Sequence, residues 1–400
     1  MTAPSSSRIG HRILAHVRAL AYPRFAGTAG EERARSHIRG AFTASGYRVV
    51  EQEFSASLVP LEVLPRLGAA LLTAMLVGAY AFIDGIPLFA VELAVLATLA
   101  LTVSSRWWPV LERAHRLRRF GRVRSSNIIA RHVHEGELVN VVFLAHYDSK
   151  HQLLGGATRL VLQNALAALT VATALLTIVA AVTGWPRELL LPTLLPAALI
   201  GLVLQVNGTT NASVGSFDNA SGVGVLLELA AAYADEVPSC NVTFIATGAK
   251  EVGCSGAVAL ASSEWFHREY PASRTVMINL DSVGSRAPLR VVNRFGLPPT
   301  RSGALVTDLC LRISERFGMD ARPAWLPMGA SADHLPFAMR GYQAVTLSTA
   351  GWDAATRTIH TTRDTEDVLD AGALEECYAV CLEVLDSIPH AALRPTTTLP

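Results

Sequence analysis

Two long apolar blocks dominate the pattern of positions along this chain. The first runs from Leu67 to Val103 and breaks once, at Asp84-Gly85, with Pro87 just after. Its halves, Leu67 to Ile83 and Ile86 to Val103, are each close to bilayer-spanning length, about 20 residues. The second runs from Leu160 to Val206 and breaks at Gly184-Trp185-Pro186-Arg187-Glu188. Each block predicts a helical hairpin with a very short tip, giving four transmembrane helices in residues 67–103 and 160–206. The alternative is a set of long core helices in a soluble protein. Four segments that are apolar all round, with Glu92 as the one interior charge, argue for lipid instead.

The remaining sequence alternates between strand and helix patterns. Residues 30–45 have the period of an amphipathic helix. Tyr47 to Phe54, Ser126 to His132 and Val139 to Ala145 read as strands, the last continuously apolar as in a sheet covered on both faces. A helix follows Gly222, and a strand runs from Asn241 to Ala246. Ile278 to Leu280 and Val345 to Ser348 are short strands. Helices are expected over residues 303–317 and from Ala371 to Leu385. This order predicts an α/β fold with a mostly parallel sheet sandwiched by helices. Its pieces are residues 20–56, 124–158 and 207–390, with the two hairpins inserted between them.

Composition sharpens the membrane reading. Half of the 400 residues are apolar and only 17% are charged, and mean hydropathy is +0.33. A net charge of +1 argues against a nucleic-acid partner. The stretch from Arg106 to Arg131 holds eight arginines, whereas the hairpin tips hold only Arg187. Trp107-Trp108 stands where an interfacial aromatic belt would lie. The positive-inside rule therefore predicts a multi-pass protein with its polar domain in the cytoplasm. Residues 1–56 carry eight arginines and no long apolar run, so no cleavable signal peptide is expected. The five cysteines include no CxxC pair and read as small buried hydrophobes rather than a disulfide framework.

Imidazoles and carboxylates collect at the ends of predicted strands, where α/β folds keep their sites. One strand delivers His146, with Asp148 two residues on. Asp218 sits in Ser216-Phe217-Asp218-Asn219-Ala220-Ser221-Gly222, which opens a helix. Lys250-Glu251 follows the strand that starts at Asn241. Asp281 ends another strand, and His360 lies in Ile359-His360-Thr361-Thr362-Arg363-Asp364. Two imidazoles and three carboxylates form the N/O donor mix that suits zinc. Five such ligands suit a pair of ions that share one carboxylate.

The ordered motifs His146-Tyr147-Asp148, Phe217-Asp218-Asn219-Ala220-Ser221-Gly222-Val223, Lys250-Glu251-Val252-Gly253, Asn279-Leu280-Asp281 and His360-Thr361-Thr362-Arg363-Asp364 resemble those of the M28 family of zinc peptidases. Tyr22-Pro23-Arg24 and Ala332-Asp333-His334-Leu335-Pro336-Phe337 extend the likeness. The resemblance implies the phosphorylase/aminopeptidase-like fold and a dinuclear zinc site cleaving peptide or aminoacyl amide bonds. It makes Asp218 the bridge between two zinc ions, His146 and Asp281 ligands of one, and Glu251 and His360 ligands of the other. Asp148 would hydrogen-bond the far ring nitrogen of His146, and a glutamate just before Glu251 would be the general base.

This chain has Lys250 at that position. With Asp148, it makes up the catalytic candidates. A protonated lysine accepts no proton and repels both zinc and a substrate ammonium. Three readings follow. Lys250 could be a neutral amine base, its pKa depressed by two divalent ions. Water activation could rest on the metals alone, or on an anionic substrate paired with Lys250. Or the chain is a zinc-binding homologue without catalysis, serving as a binding or scaffold protein. The second hairpin separates His146 from Asp218, so the site is expected beside the bilayer surface, facing peptide substrates there.

Overall fold

The computed structural model describes residues 8–104, 121–132, 139–234 and 240–388. Nine of the described strands form one mixed sheet. The eight longer ones are β1 (Arg48–Ser57), β2 (Arg122–His132), β3 (Asn140–His146), β4 (Asn241–Thr247), β5 (Thr275–Leu280), β6 (Leu289–Phe295), β7 (Ala321–Trp325) and β8 (Gln343–Ser348). Their spatial order is β1-β2-β4-β3-β5-β8-β6-β7. The central run β4-β3-β5-β8 is parallel, and β6 pairs parallel with β7. The pairs β1–β2, β2–β4 and β8–β6 are antiparallel.

The apolar runs explain the order. β3, β4, β5 and β8 are buried at every residue, as strands covered on both faces must be. Pro323, which cannot donate to a ladder, lies in β7 at the sheet edge.

The helices are α1 (Arg8–Ala19), α2 (Ala29–Ala44), α3 (Leu64–Phe82), α4 (Pro87–Ser104), α5 (Gly156–Thr183), α6 (Leu191–Gln205), α7 (Ser221–Tyr233), α8 (Ser255–Ala261), α9 (Ala304–Arg316) and α10 (Ala371–Ser387), with shorter turns between them. Alternate side chains of β3 serve two cores. Val141, Phe143 and Ala145 join residues of α1, α2, α7, α9 and α10. Val142 and Leu144 join α8, Phe266 and Phe337. All five cysteines are free and buried.

The apolar blocks form helices that pack on one another: α3 on α4 and α6, and α5 on α4 and α6. Three helical segments are long and apolar enough to cross a membrane: Val59–Phe82, Gly156–Thr183 and Arg187–Gln205. Among the described residues a further apolar helix, Pro87–Thr102, is shorter. Small residues fill the inside of the group: Ala69, Ala79, Ala90, Ala94, Ala97, Ala174, Ala180 and Ala197 are buried. Large ones face out, among them Leu71, Leu96, Leu175, Leu199 and Leu202. A water-soluble bundle has the reverse arrangement. The two tips meet where Arg187 Nε lies 3.3 Å from Asp84 Oδ2.

Gln163 and Asn164, whose amides could have bonded between helices, turn to the 326–331 loop. Asn164 donates to the carbonyl of Met328, and Gln163 lies against Gly329. Thr173 and Thr193 make a bond between α5 and α6, at 2.9 Å. Glu92 is exposed on α4. Trp107-Trp108 and Arg106 to Arg119 lie outside the described residues.

Candidate metal centre

The parallel strands deliver their C-terminal ends to one place. His146 ends β3, Lys250 and Glu251 lie in the loop after β4, and Asp281 follows β5. Asp218 sits in the kinked turn Ser216–Ala220 that leads into α7. His360 comes from the loop after Thr356–Thr358. All five expected ligands are buried and converge. His146, Asp218 and Glu251 each offer a donor atom, and these lie within 4.8 Å of one another. His146 Nε2 is 3.1 Å from Asp218 Oδ1 and 3.8 Å from Asp281 Oδ1. His360 Nε2 is 3.1 Å from Asp218 Oδ2 and 3.2 Å from Glu251 Oε2. Asp218 thus reaches one imidazole with each oxygen.

Backbone strain gathers here. Ala249, Ser282 and His360 adopt positive φ without being glycine, and each is, or adjoins, one of the clustered residues. Left-handed backbone at such residues persists only where the surroundings enforce it. Gly222 is required for closeness instead, since a Cβ there would lie 2.5 Å from the Leu280 carbonyl oxygen and from Asn219 Oδ1.

A shell of buried polar groups fixes the cluster. The Asp148 carboxylate accepts the backbone N–H groups of Lys250 and Glu251, at 3.0 and 2.9 Å. His146 Nδ1 lies 3.1 Å from the Asp148 carbonyl oxygen and 3.5 Å from its Oδ1. Asp148 therefore holds the Lys250-Glu251 loop with its carboxylate and meets the histidine first through its backbone. The Asp364 carboxylate accepts the N–H groups of Phe217 and Asp218. Burial, and then the charge of Asp218, push Asp364 up to about 7. Arg24 is fully buried and donates to the carbonyls of Leu20, Tyr22, Tyr147, Val214 and Gly215. It ties the N-terminal segment to the chain on either side of the second apolar block.

Both lysines of the chain end in the cluster. Lys250 Nζ lies 3.4 Å from Asp218 Oδ1, 3.2 Å from Glu251 Oε1 and 3.3 Å from Asp281 Oδ2. Lys150 Nζ lies 2.6 Å from Glu251 Oε2. Burial alone would lower the Lys250 pKa, but the carboxylates of Asp218, Asp281 and Glu251 carry it well above the usual lysine value. Burial would raise Asp218 and Glu251; the lysine charges hold both well below the carboxylate range. Lys150 is shifted down by burial, against the pull of Glu251.

The motifs along the sequence single out neither Lys150 nor a role for Asp364 and Arg24. The signal for Lys150 was its rarity, one of two lysines beside 32 arginines. Asp333 is a further buried carboxylate, bonded to Thr247 Oγ1 at 2.5 Å, and burial pushes it up to about 6.

The donors fit zinc. Two imidazoles and three carboxylates converge without thiolates, and neither ring nitrogen of His360 has a hydrogen-bond partner among the described residues although the ring is buried.

A family model, peptidase family M28, matches residues 197–385. Among curated proteins, none matches this sequence. The structure is similar to an aminopeptidase from Aneurinibacillus sp. strain AM-1, with a TM-score of 0.56 at 17% identity, covering 94% of this chain and 93% of that one. It is similar to a zinc aminopeptidase from Bacillus subtilis, with a TM-score of 0.54 at 16% identity over 97% and 96% of the two chains. An Acidobacteriales bacterium glutaminyl cyclase has a TM-score of 0.56 at 14% identity over 98% and 99%. At such identities the likeness establishes the fold, a large mixed sheet with helices. Together with the family match, it supports a hydrolase.

Proposed function

We propose that this chain is a membrane-anchored, zinc-dependent hydrolase of peptide or aminoacyl amide bonds. The observation that carries the reading is the convergence of His146, Asp218, Glu251, Asp281 and His360, drawn from over 200 residues of sequence, into one buried cluster. His146 and Asp281 would hold metal on one side of Asp218, and Glu251 and His360 on the other. Zinc, when bound, supplies Lewis acidity toward a carbonyl oxygen and toward a water.

The chain's own residues do the rest. Asp148 keeps Glu251 aimed at the centre through the two N–H groups it accepts, and Asp364 does the same for Asp218. Burial excludes bulk water and strengthens each charge. Lys250, as an ammonium, orients carboxylates and would pair with an anionic group of a substrate. By the same charge it disfavours a substrate α-ammonium beside it.

The membrane reading rests on the apolar outer faces of α3 to α6 and on where α5 begins. Gly156, its first residue, donates to the carbonyl of Ile359 at 2.9 Å, and Gln152 donates to that of His360. The start of an apolar helix therefore packs on a proposed ligand, consistent with a site beside the bilayer that faces membrane-proximal peptides. The polar domain is proposed to be cytoplasmic, on the arginine bias.

The triple contact of Lys250 favours a second reading, a zinc-holding homologue that binds without cleaving. Glutaminyl cyclases of this fold keep an acyl transfer in view, though Lys250 speaks against it as it does against a general base. Purified protein supplied with zinc and a panel of aminoacyl amides, beside Lys250→Glu, separates these. Turnover by the wild type supports the hydrolase; turnover by Lys250→Glu alone leaves the binding role.

A further inference from the structure

We propose that Arg159 determines specificity at this site: its guanidinium receives a carboxylate of the peptide close to the bond that is cut. The inference rests on the peptide reading above and narrows its substrate class to acidic or free-ended peptides.

Arg159 is the one charged residue in the 28 of α5, and it lies in the first turn. An arginine at the end of an apolar helix ordinarily reaches out to water or to lipid headgroups. This one turns inward. Gly156, three residues earlier, donates to the carbonyl of Ile359 at 2.9 Å, and a Cβ there would lie 3.4 Å from His360 Nδ1. Residues three apart share a helix face, and helical side chains lean toward the N-terminus. Arg159 therefore leans over the turn that packs on His360. The carboxylates whose charge reaches it are those of Glu251 and Asp218.

The 326–331 loop fixes the direction of the side chain. Arg159 Nη1 donates to the carbonyl of Gly329 at 3.0 Å. Asn164 donates to that of Met328 at 3.2 Å. Gln163 presses on the same place, since a Cβ at Gly329 would lie 1.9 Å from its Oε1. The loop runs on into Asp333 and His334, both fully buried, and Asp333 is bonded to Thr247 at the end of β4. Three side chains of α5 thus hold a loop that continues to the strand end beside the cluster.

This arrangement leaves one edge of the guanidinium unused. Nη1 is taken by Gly329, whereas Nε is shielded from solvent and has no hydrogen-bond partner. Nε and Nη2 form the planar fork that matches two carboxylate oxygens. Among the described residues no carboxylate is within ion-pair reach of it; Glu251 and Asp218 pair with Lys150 and Lys250 instead. Arg24 is the contrast, because its buried guanidinium is spread over five backbone carbonyls. A shielded donor left unmet is destabilising, and a carboxylate arriving along the free edge relieves that.

The test compares matched tripeptides binding to the full-length protein, supplied with zinc in detergent, by calorimetry. One pair is trialanine with a free C-terminus against its C-terminal amide. The other is an amidated tripeptide with a central glutamate against the same with glutamine. The carboxylate member of at least one pair should bind roughly 10- to 100-fold more tightly, and which pair it is tells a chain end from a side chain. Arg159→Met should bring that ratio to about one by weakening only the carboxylate member, and Arg159→Lys should keep part of it. Equal binding within both pairs by the wild type, or no binding, overturns the inference. So does equal weakening of both members in Arg159→Met and Arg159→Lys, which marks a purely structural tie. A ratio that survives Arg159→Met while binding to phosphatidylglycerol vesicles is lost makes the residue a headgroup contact, and also overturns it. Cleavage of the peptides without any carboxylate preference would sink this inference alone. A preference that depends on Arg159 in a chain that cleaves none of them would sink the hydrolase reading alone.

Discussion

Lys150 and Lys250 show what a single residue type can do that its neighbour in charge cannot. Each puts a buried ammonium on Glu251, and Lys250 reaches two more carboxylates from other directions. A planar guanidinium favours paired contacts in one plane, so arginine would not serve three carboxylates around a point. Glu31 is another buried charge with a measurable consequence. Its carboxylate accepts from Gly27 N–H and Ser125 Oγ, yet burial raises its pKa from the ordinary 4.5 to about 7. Below pH 4.5 both folded and unfolded chains hold the proton. As pH rises toward 7 the unfolded chain loses it first, so stability falls across that window, by at most about 3 kcal/mol. Glu31→Gln should lack this loss: from pH 5 to pH 8 the wild-type melting temperature should drop relative to the variant. Parallel pH profiles would show that Glu31 ionises in the fold without penalty.

At the scale of elements, the central strands and the helices that flank them follow from periodicity. The continuous run from Val141 to Ala145 became β3, buried on both faces, and the amphipathic 30–45 pattern became α2. β6, β7 and α1 were not among the expected elements. Arginines, and Pro323 in β7, blur the period of the two strands, whereas α1 does carry a helical pattern, with Ile13 and Val17 buried and Arg8, Arg12 and Arg18 exposed. Helix contacts among the apolar segments are decided by small residues rather than by hydropathy. A Cβ at Gly201 in α6 would meet Thr73 Oγ1 of α3 at 2.0 Å. Gly201→Ala should therefore destabilise the detergent-solubilised protein by about 1–3 kcal/mol, and Thr73→Ala in the same chain should restore most of the loss. Additive losses in thermal melts of the single and double variants would mean that the two helices do not meet there.

For the whole molecule, the question is how the apolar helices and the metal centre share one chain. The outer faces of α3 to α6 are leucine- and valine-rich, and the tips of the two segments are joined through Arg187 and Asp84. If these faces meet lipid, the protein stays with membranes after alkaline carbonate washing. Replacing Leu175, Leu199 and Leu202 by Arg should abolish that retention, at about 2.5–3.5 kcal/mol of insertion cost for each residue near a helix centre. Recovery of the unmodified protein in the soluble fraction would sink the anchor. Protease protection of sealed vesicles would report the side on which the polar domain lies.

The sequence by itself determined the α/β character, the central buried strands and the apolar blocks, while the five candidate ligands were implied by the likeness of their motifs to the M28 family. These are local facts: side-chain type, period and position at a strand end set them before any long-range contact forms. Only the tertiary structure decided that Lys150 and Lys250 both end on Glu251, that Asp148 holds the loop after β4, and that α5 starts against His360. Those outcomes depend on which strand ends the sheet order brings together, and no spacing along a chain encodes a distance between its folded parts.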